Sequence, residues 1–277
     1  NGVTYSDYIN IFSWHIDTET GGLSTGNRLP VPMPANYPGS NWLAMIRSLG
    51  AMGVSGAKAL LSFYIDTPDS ANPGSYILNM ITNPSKRASA IATIVRIVYA
   101  HHILDATGPY RAIAGISFDF EGQTHLWGSQ FVDFVADVKK SLVVNDLPSY
   151  VNGYLSTRYY TYPFWAQWAN VMDHVILPIY SSQKSNAATP TDEYDVFPTK
   201  LATIEQQLTS AGLPLSKLLY IEALWMYEWR TQTGGFESPT IGPSSYLSLD
   251  YSVGINKIQS LTTTISPLLK CSWATVQ

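Results

Sequence analysis

Two carboxylates, Asp119 and Glu121, close the stretch Ala114–Glu121, which reads AGISFDFE. On a strand, side chains alternate between faces, so Ser117, Asp119 and Glu121 share one face while Ile116, Phe118 and Phe120 occupy the other. Two like charges at the end of an apolar strand repel each other and resist burial. The pKa of at least one therefore rises, which suits a general acid working near neutral pH. Ser117 is neutral, so Asp119 has no like charge on its face except Glu121 and is expected to stay ionised to lower pH than it would beside a third carboxylate. Other chemistries lack their residues. The five histidines show no metal-ligand spacing, and His101-His102 have neither a nearby Cys nor an HExxH pattern. No GxSxG, Walker-type or GxGxxG motif occurs. No metal and no cofactor is called for.

The elements that must position this pair alternate in type. Strands are expected over Tyr8–Ile16, Ala57–Ile65, Ala112–Glu121, Tyr150–Ser156, Val175–Tyr180, Leu218–Met226 and Leu268–Val276. Helices are expected over Trp42–Met52, Tyr76–Met80, Arg87–His102, Gly128–Val143, Trp165–Val171, Lys200–Ala211 and Ile255–Ile265. In the Gly128–Val143 helix, Phe131, Phe134, Val135, Val138 and Leu142 form the inward stripe. Asp17 to Ser40 carries four prolines and reads as a long loop. Strands that are near-continuous apolar runs, alternating with helices, mark a parallel sheet covered on its faces. The expectation is an α/β fold, a single-domain (β/α)8 TIM-type barrel over residues 1–277. Its first strand, GVTY, is short or irregular, because seven clear strands leave one to find. In such a barrel the active site forms at the C-terminal ends of the strands, where Asp119 and Glu121 stand.

Composition narrows the class further. The chain has 277 residues, 13% of them charged, with net charge −4 and no basic run, which argues against nucleic acid as a partner. It holds 18 Tyr, 8 Trp and 9 Phe, enough aromatic surface to fill a core and to stack on sugars. Trp14, Tyr64, Trp225 and Trp229 fall near strand ends and are candidates to line a cleft. His15 and Asp17 follow the first clear strand and read as hydrogen-bonded structure. The single cysteine, Cys271, permits no internal disulfide. No run of about 20 apolar residues spans a membrane. The chain begins at Asn1, consistent with removal of a leader, and a secreted monomer is the expectation.

The stretch AGISFDFE resembles the DGxDxDxE signature of family 18 glycoside hydrolases, the chitinases and endo-β-N-acetylglucosaminidases. Gly115, Ile116, Phe118, Asp119 and Glu121 match; Ala114 and Ser117 stand where the family has Asp. Ala59-Leu-Leu-Ser62 is similar to the family's preceding strand, with Phe63-Tyr64 in place of glycines. Asn83-Pro-Ser-Lys-Arg87 resembles its helix opening, and Val175–Tyr180 its Met-x-Tyr-Asp strand, with Ser181 replacing Asp. Ser272-Trp273 resembles the last strand's Trp. The resemblance implies a retaining hydrolase of β-1,4-linked N-acetylglucosamine, in chitin-type oligosaccharides or the core chitobiose of N-glycans. In it the substrate's 2-acetamido oxygen attacks the anomeric carbon. Glu121 would protonate the glycosidic oxygen, Asp119 would orient the acetamido N–H, Tyr180 would hydrogen-bond the acetamido oxygen, and Trp273 would floor the sugar site. Ser117, Tyr64, Trp14 and Trp225 complete the candidate binding set. The segment between Met226 and Leu268 is too short for the extra domain that walls a deep cleft, which implies an open groove. The losses at Ala114 and Ser117 keep a second reading open, a non-catalytic lectin on the same barrel.

Overall fold

The computed structural model of the chain describes residues 8–27, 29–31, 46–47, 56, 58–106, 110–155, 161–178, 197–221, 225–229 and 246–250. The strands are β1 (Tyr8–Asp17), β2 (Lys58–Asp66), β3 (Ile113–Asp119), β4 (Tyr150–Tyr154), β5 (His174–Pro178), β6 (Leu218–Ile221), β7 (Trp225–Trp229) and β8 (Tyr246–Asp250). The helices are α1 (Pro73–Thr82), α2 (Pro84–Ala106), α3 (Thr124–Val144), α4 (Phe164–Val171) and α5 (Phe197–Ser210). One sheet runs in the order β1-β2-β3-β4-β5-β6, with parallel pairing from β1 through β5. Sequential strands are neighbours and helices fill the crossovers, so the fold is α/β, of the kind expected from the alternating pattern.

The chain divides into two compact units, Asn1–Leu177 with Leu208–Leu219, and Pro178–Gln207 with Tyr220–Gln277. In the second, β7 pairs antiparallel with β8, Trp225 opposite Asp250 and Trp229 opposite Tyr246. The expected Leu218–Met226 strand is therefore two strands. Leu-Leu-Tyr-Ile is an apolar run suited to the parallel sheet. Trp-Met-Tyr-Glu-Trp has the alternation of a strand with two unlike faces. Read as one run, the apolar residues hide the change of pattern. The N-terminal GVTY, the Ile255–Ile265 helix and the Leu268–Val276 strand lie outside the described residues, and of Trp42–Met52 only residues 46–47 are described, as helix.

Packing behind β3 fixes the strand that matters. Phe118 and Phe120 lie 5.3 Å, ring to ring, from Phe131 of α3, which also meets Trp127 at 5.0 Å and Trp168 of α4 at 5.1 Å. Phe131, Phe134, Val135, Val138 and Leu142 are all fully buried, as the helix stripe requires. Offset and edge-on aromatic pairs of this kind add about 0.5–1.5 kcal/mol each beyond the area they bury. On the sheet itself, β3 and β4 approach so closely at Gly115 that a Cβ there would stand 1.9 Å from the Tyr150 carbonyl oxygen. Gly115→Ala must push β4 away, at an expected cost of about 3 kcal/mol, which lowers Tm by roughly 6–12 °C. A calorimetric melt within about 2 °C of wild type would show that β4 yields freely.

Candidate active site

β3 ends at Asp119, and the chain then turns sharply. Gly122 and Gln123 take positive φ, 82° and 51°. The Gly122 carbonyl accepts a hydrogen bond from Trp127 Nε1 at 2.9 Å, and Gln123 Oε1 accepts one from the Gly74 amide at 3.0 Å. The turn thereby holds Glu121 between a buried strand end and the start of α3. Ser117 and Asp119 are buried, 2% and 8% exposed, while Glu121 is exposed at the rim.

Burial pushes the Asp119 carboxyl up to about 7, and the neighbouring Glu121 charge adds to the displacement. Partial burial also raises Glu121. The rise of one acid of the pair is the shift expected of two carboxylates closing an apolar strand; the neutral Ser117 spares Asp119 only the further rise that a third carboxylate would add. Desolvation is the larger cause and the Glu121 charge the smaller, both in the same direction. Across the neutral range the pair behaves as coupled acids, a property of both groups together.

Tyr64 of β2 is in register with Asp119. Its phenol is raised by burial and by the charges of Glu121, Asp119 and Asp66, so it remains a hydrogen-bond donor at any working pH. On its far side the Tyr64 ring lies 5.2 Å from the His15 ring. His15 Nδ1–H donates to Asp66 Oδ1 at 2.9 Å, and its Nε2 faces the Ser13 hydroxyl at 3.1 Å. The His15 amide donates to Asn27 Oδ1 at 3.1 Å. His15 is thus tied into the scaffold, the structural role its sequence position suggested, and it buttresses Tyr64 against Asp119.

The predicted site residues separate into groups. Asp119, Glu121, Ser117 and Tyr64 come together at the C-terminal ends of β2 and β3. Trp14 does not join them. It is fully buried against Phe63 (6.3 Å) and His101 (4.8 Å), and its Nε1 donates to the Pro30 carbonyl at 3.4 Å. In β1 it alternates with His15, so it packs on the face away from Asp119; a strand-end tryptophan fills the core here. Trp225 opens β7 in the second unit. Tyr180 and Trp273 lie outside the described residues. Sequence reading missed Asn10, Ser62 and Asn152, polar residues in strands that are otherwise apolar. Asn10 Nδ2 donates to Ser117 Oγ at 3.3 Å, and Ser62 and Asn152 are 0% and 1% exposed. The signal was present in YVNGY, where an amide interrupts a buried strand. Among the described residues no group of three or more potential ligands could hold a metal ion.

No family model matches the chain, and no curated protein matches it. Solved structures do. The chitinase-like agglutinin RobpsCRA from Robinia pseudoacacia superposes with TM-score 0.62 at 17% identity over 91% of this chain and 73% of that one. A mutant plant class V chitinase from Cycas revoluta, in complex with (GlcNAc)3, gives TM-score 0.59 at 15% identity over 92% and 73%. The spore cortex-lytic enzyme SleL from Bacillus megaterium gives 0.61 at 14% identity, covering 93% of this chain, which spans 52% of that one. These similarities show that the chain shares the α/β fold of these proteins.

Proposed function

We propose that the chain is a family 18-type glycosidase that cleaves β-1,4-linked N-acetylglucosamine with retention of configuration. The observation that carries this reading is the Asp119–Glu121 pair at the end of β3, with Asp119 buried and raised to about 7. At near-neutral pH the pair holds a proton that can be given away. Glu121, at the rim, gives it to the glycosidic oxygen as the C1–O bond breaks and the 2-acetamido oxygen bonds to C1. The Asp119 carboxylate accepts the acetamido N–H and faces the positive charge that develops there. Water then attacks C1, Glu121 takes its proton, and the acetamido group is released. Tyr64 supplies a fixed hydroxyl donor beside the pair. The family resemblance gives Tyr180 the hydrogen bond to the acetamido oxygen, Trp273 the sugar floor, and Trp225 a place in the binding set. No described helix is long and apolar enough to cross a membrane. A secreted monomer acting on chitin-type oligosaccharides or N-glycan core chitobiose fits this chemistry.

The agglutinin among the similar structures, with Ala114 and Ser117 in place of acids, favours the second reading, a lectin. Incubation with chitohexaose and with a high-mannose glycoprotein separates the two. Release of reducing ends first seen as the β-anomer by NMR supports the enzyme. Saturable sugar binding without hydrolysis of either substrate supports the lectin. Ser117→Asp adds a like charge one step below Asp119, so it should move the acid limb of the pH–rate profile by about one pH unit and change turnover. An unaltered profile in a folded variant would separate position 117 from the titration of the pair.

A further inference from the structure

Three layers of polar side chains fill the face of the sheet beneath Asp119. At the lowest, the Tyr150 ring stacks on Tyr8 at 4.4 Å and its hydroxyl lies 2.6 Å from His174 Nδ1 in a hydrogen bond. Asn152 lies two residues along β4, on the same face as Tyr150. In the middle layer Ser62, Ser117 and Asn152 are in register across β2, β3 and β4. Ser62 Oγ and Asn152 Oδ1 are fully buried and have no protein partner. Ser117 Oγ accepts from Asn10 and keeps its own proton to give. The layer above is Asp119.

A buried polar atom without a partner is costly, and two of them flank one serine, directly below a buried carboxyl. Buried polar atoms that find no partner in the protein are commonly met by ordered water, which takes about two to four partners. We propose that Asn152, Ser62 and Ser117 bind an ordered water that donates one hydrogen bond to Asn152 Oδ1 and the other to Asp119, while its two lone pairs accept from the Ser62 and Ser117 hydroxyls. The donor and acceptor count closes: every orphan is paired and Asp119 gains a donor from below. Asn152 is then a positioning residue. Through water it supplies the support that the family resemblance assigns to a carboxylate at position 117. The assignment of a catalytic consequence rests on the proposed glycosidase reading; the water site and its effect on Asp119 do not.

The titratable groups about Asp119 are Glu121, whose charge acts on it, and Tyr64, its register partner on β2; beyond Tyr64 lie His15 of β1 and Asp66 at the end of β2, and Tyr154 ends β4 on the other side. A water donating to the carboxylate favours its ionised form, so removing the water raises the Asp119 titration midpoint. The test measures that midpoint by 13C carboxyl NMR in a Glu121→Gln background, where one acid of the pair titrates. Asn152→Leu should raise it by about half a pH unit or more, and Asn152→Ser, which keeps an oxygen for the water, should return most of the shift. Ser62→Ala should raise it in the same direction and serves if Asn152→Leu does not fold. In the otherwise native protein, Asn152→Leu should lower kcat about tenfold with KM within about twofold. High-resolution crystallography should place the water between Asn152 Oδ1 and Asp119. An unmoved midpoint in a folded variant overturns the inference whether or not the protein hydrolyses sugars. A moved midpoint without turnover in the native protein upholds it and removes the enzyme reading instead.

Discussion

Glu121→Gln is expected to lower turnover on chitohexaose by at least about 10²-fold, the range that a positioned general acid supplies. Gln matches Glu in size and still hydrogen-bonds the glycosidic oxygen, so substrate affinity should hold within a few-fold. What it cannot do is deliver a proton. The loss should shrink on a chitobioside carrying a nitrophenolate leaving group, because a good leaving group departs without protonation. A merely structural role for Glu121 would reduce both substrates equally. The folded variant is also informative about Asp119. Burial is the larger cause of its raised pKa and the Glu121 charge the smaller. Neutralising Glu121 should bring the Asp119 midpoint down from about 7 without returning it to the ordinary carboxylate range. Native-like turnover of chitohexaose by the folded variant would remove Glu121 from the mechanism.

Much of this site was legible in the sequence because strand parity is a hard constraint. Once AGISFDFE is a strand, Ser117 and Asp119 must share a face, and the phenylalanines between them must pack on helices. The α3 stripe follows from the 3.6-residue period in the same way. What stayed hidden depends on contacts between strands. Register pairs Tyr64 with Asp119 and ties His15 to Asp66, 51 residues apart. Nothing in local pattern encodes that. Trp14 shows the converse: a β1 bulge between Ile11 and Trp14 resets which side chains face inward, so counting along the strand does not give its face. That one acid of the pair is raised was legible from two carboxylates closing an apolar strand; that burial outweighs the Glu121 charge in raising Asp119 was not, because the depth of a side chain depends on contacts between elements.

The same desolvation makes Asp119→Asn the second large expectation, and it acts on stability and catalysis in opposite senses. The carboxyl binds its proton more tightly in the folded chain, at about 7, than in the unfolded one, near its ordinary 3.8. A raised acid contributes stability that is fully present below the unfolded value and is lost as pH climbs through the folded one. Wild type should therefore weaken between about pH 4 and pH 7 on account of this residue, at about 1.4 kcal/mol for each tenfold displacement of the proton equilibrium. Asn never ionises, so the variant should melt like wild type at pH 4 and several degrees higher at pH 8. Turnover should move the other way. The carboxylate is matched to positive charge that exists only as the acetamido group attacks. Losing it should cost about 10²-fold or more in kcat and leave the Kd for a chitooligosaccharide within about threefold. The limb of the pH–rate profile that Asp119 contributes should vanish as well. Denaturant melts at the two pH values, set beside kcat and a calorimetric Kd, measure all three effects. A variant that binds sugar as weakly as it turns it over would make Asp119 a ground-state contact. A variant less stable than wild type at pH 8 would mean that its carboxylate is solvated in the folded chain, against the burial that raises it.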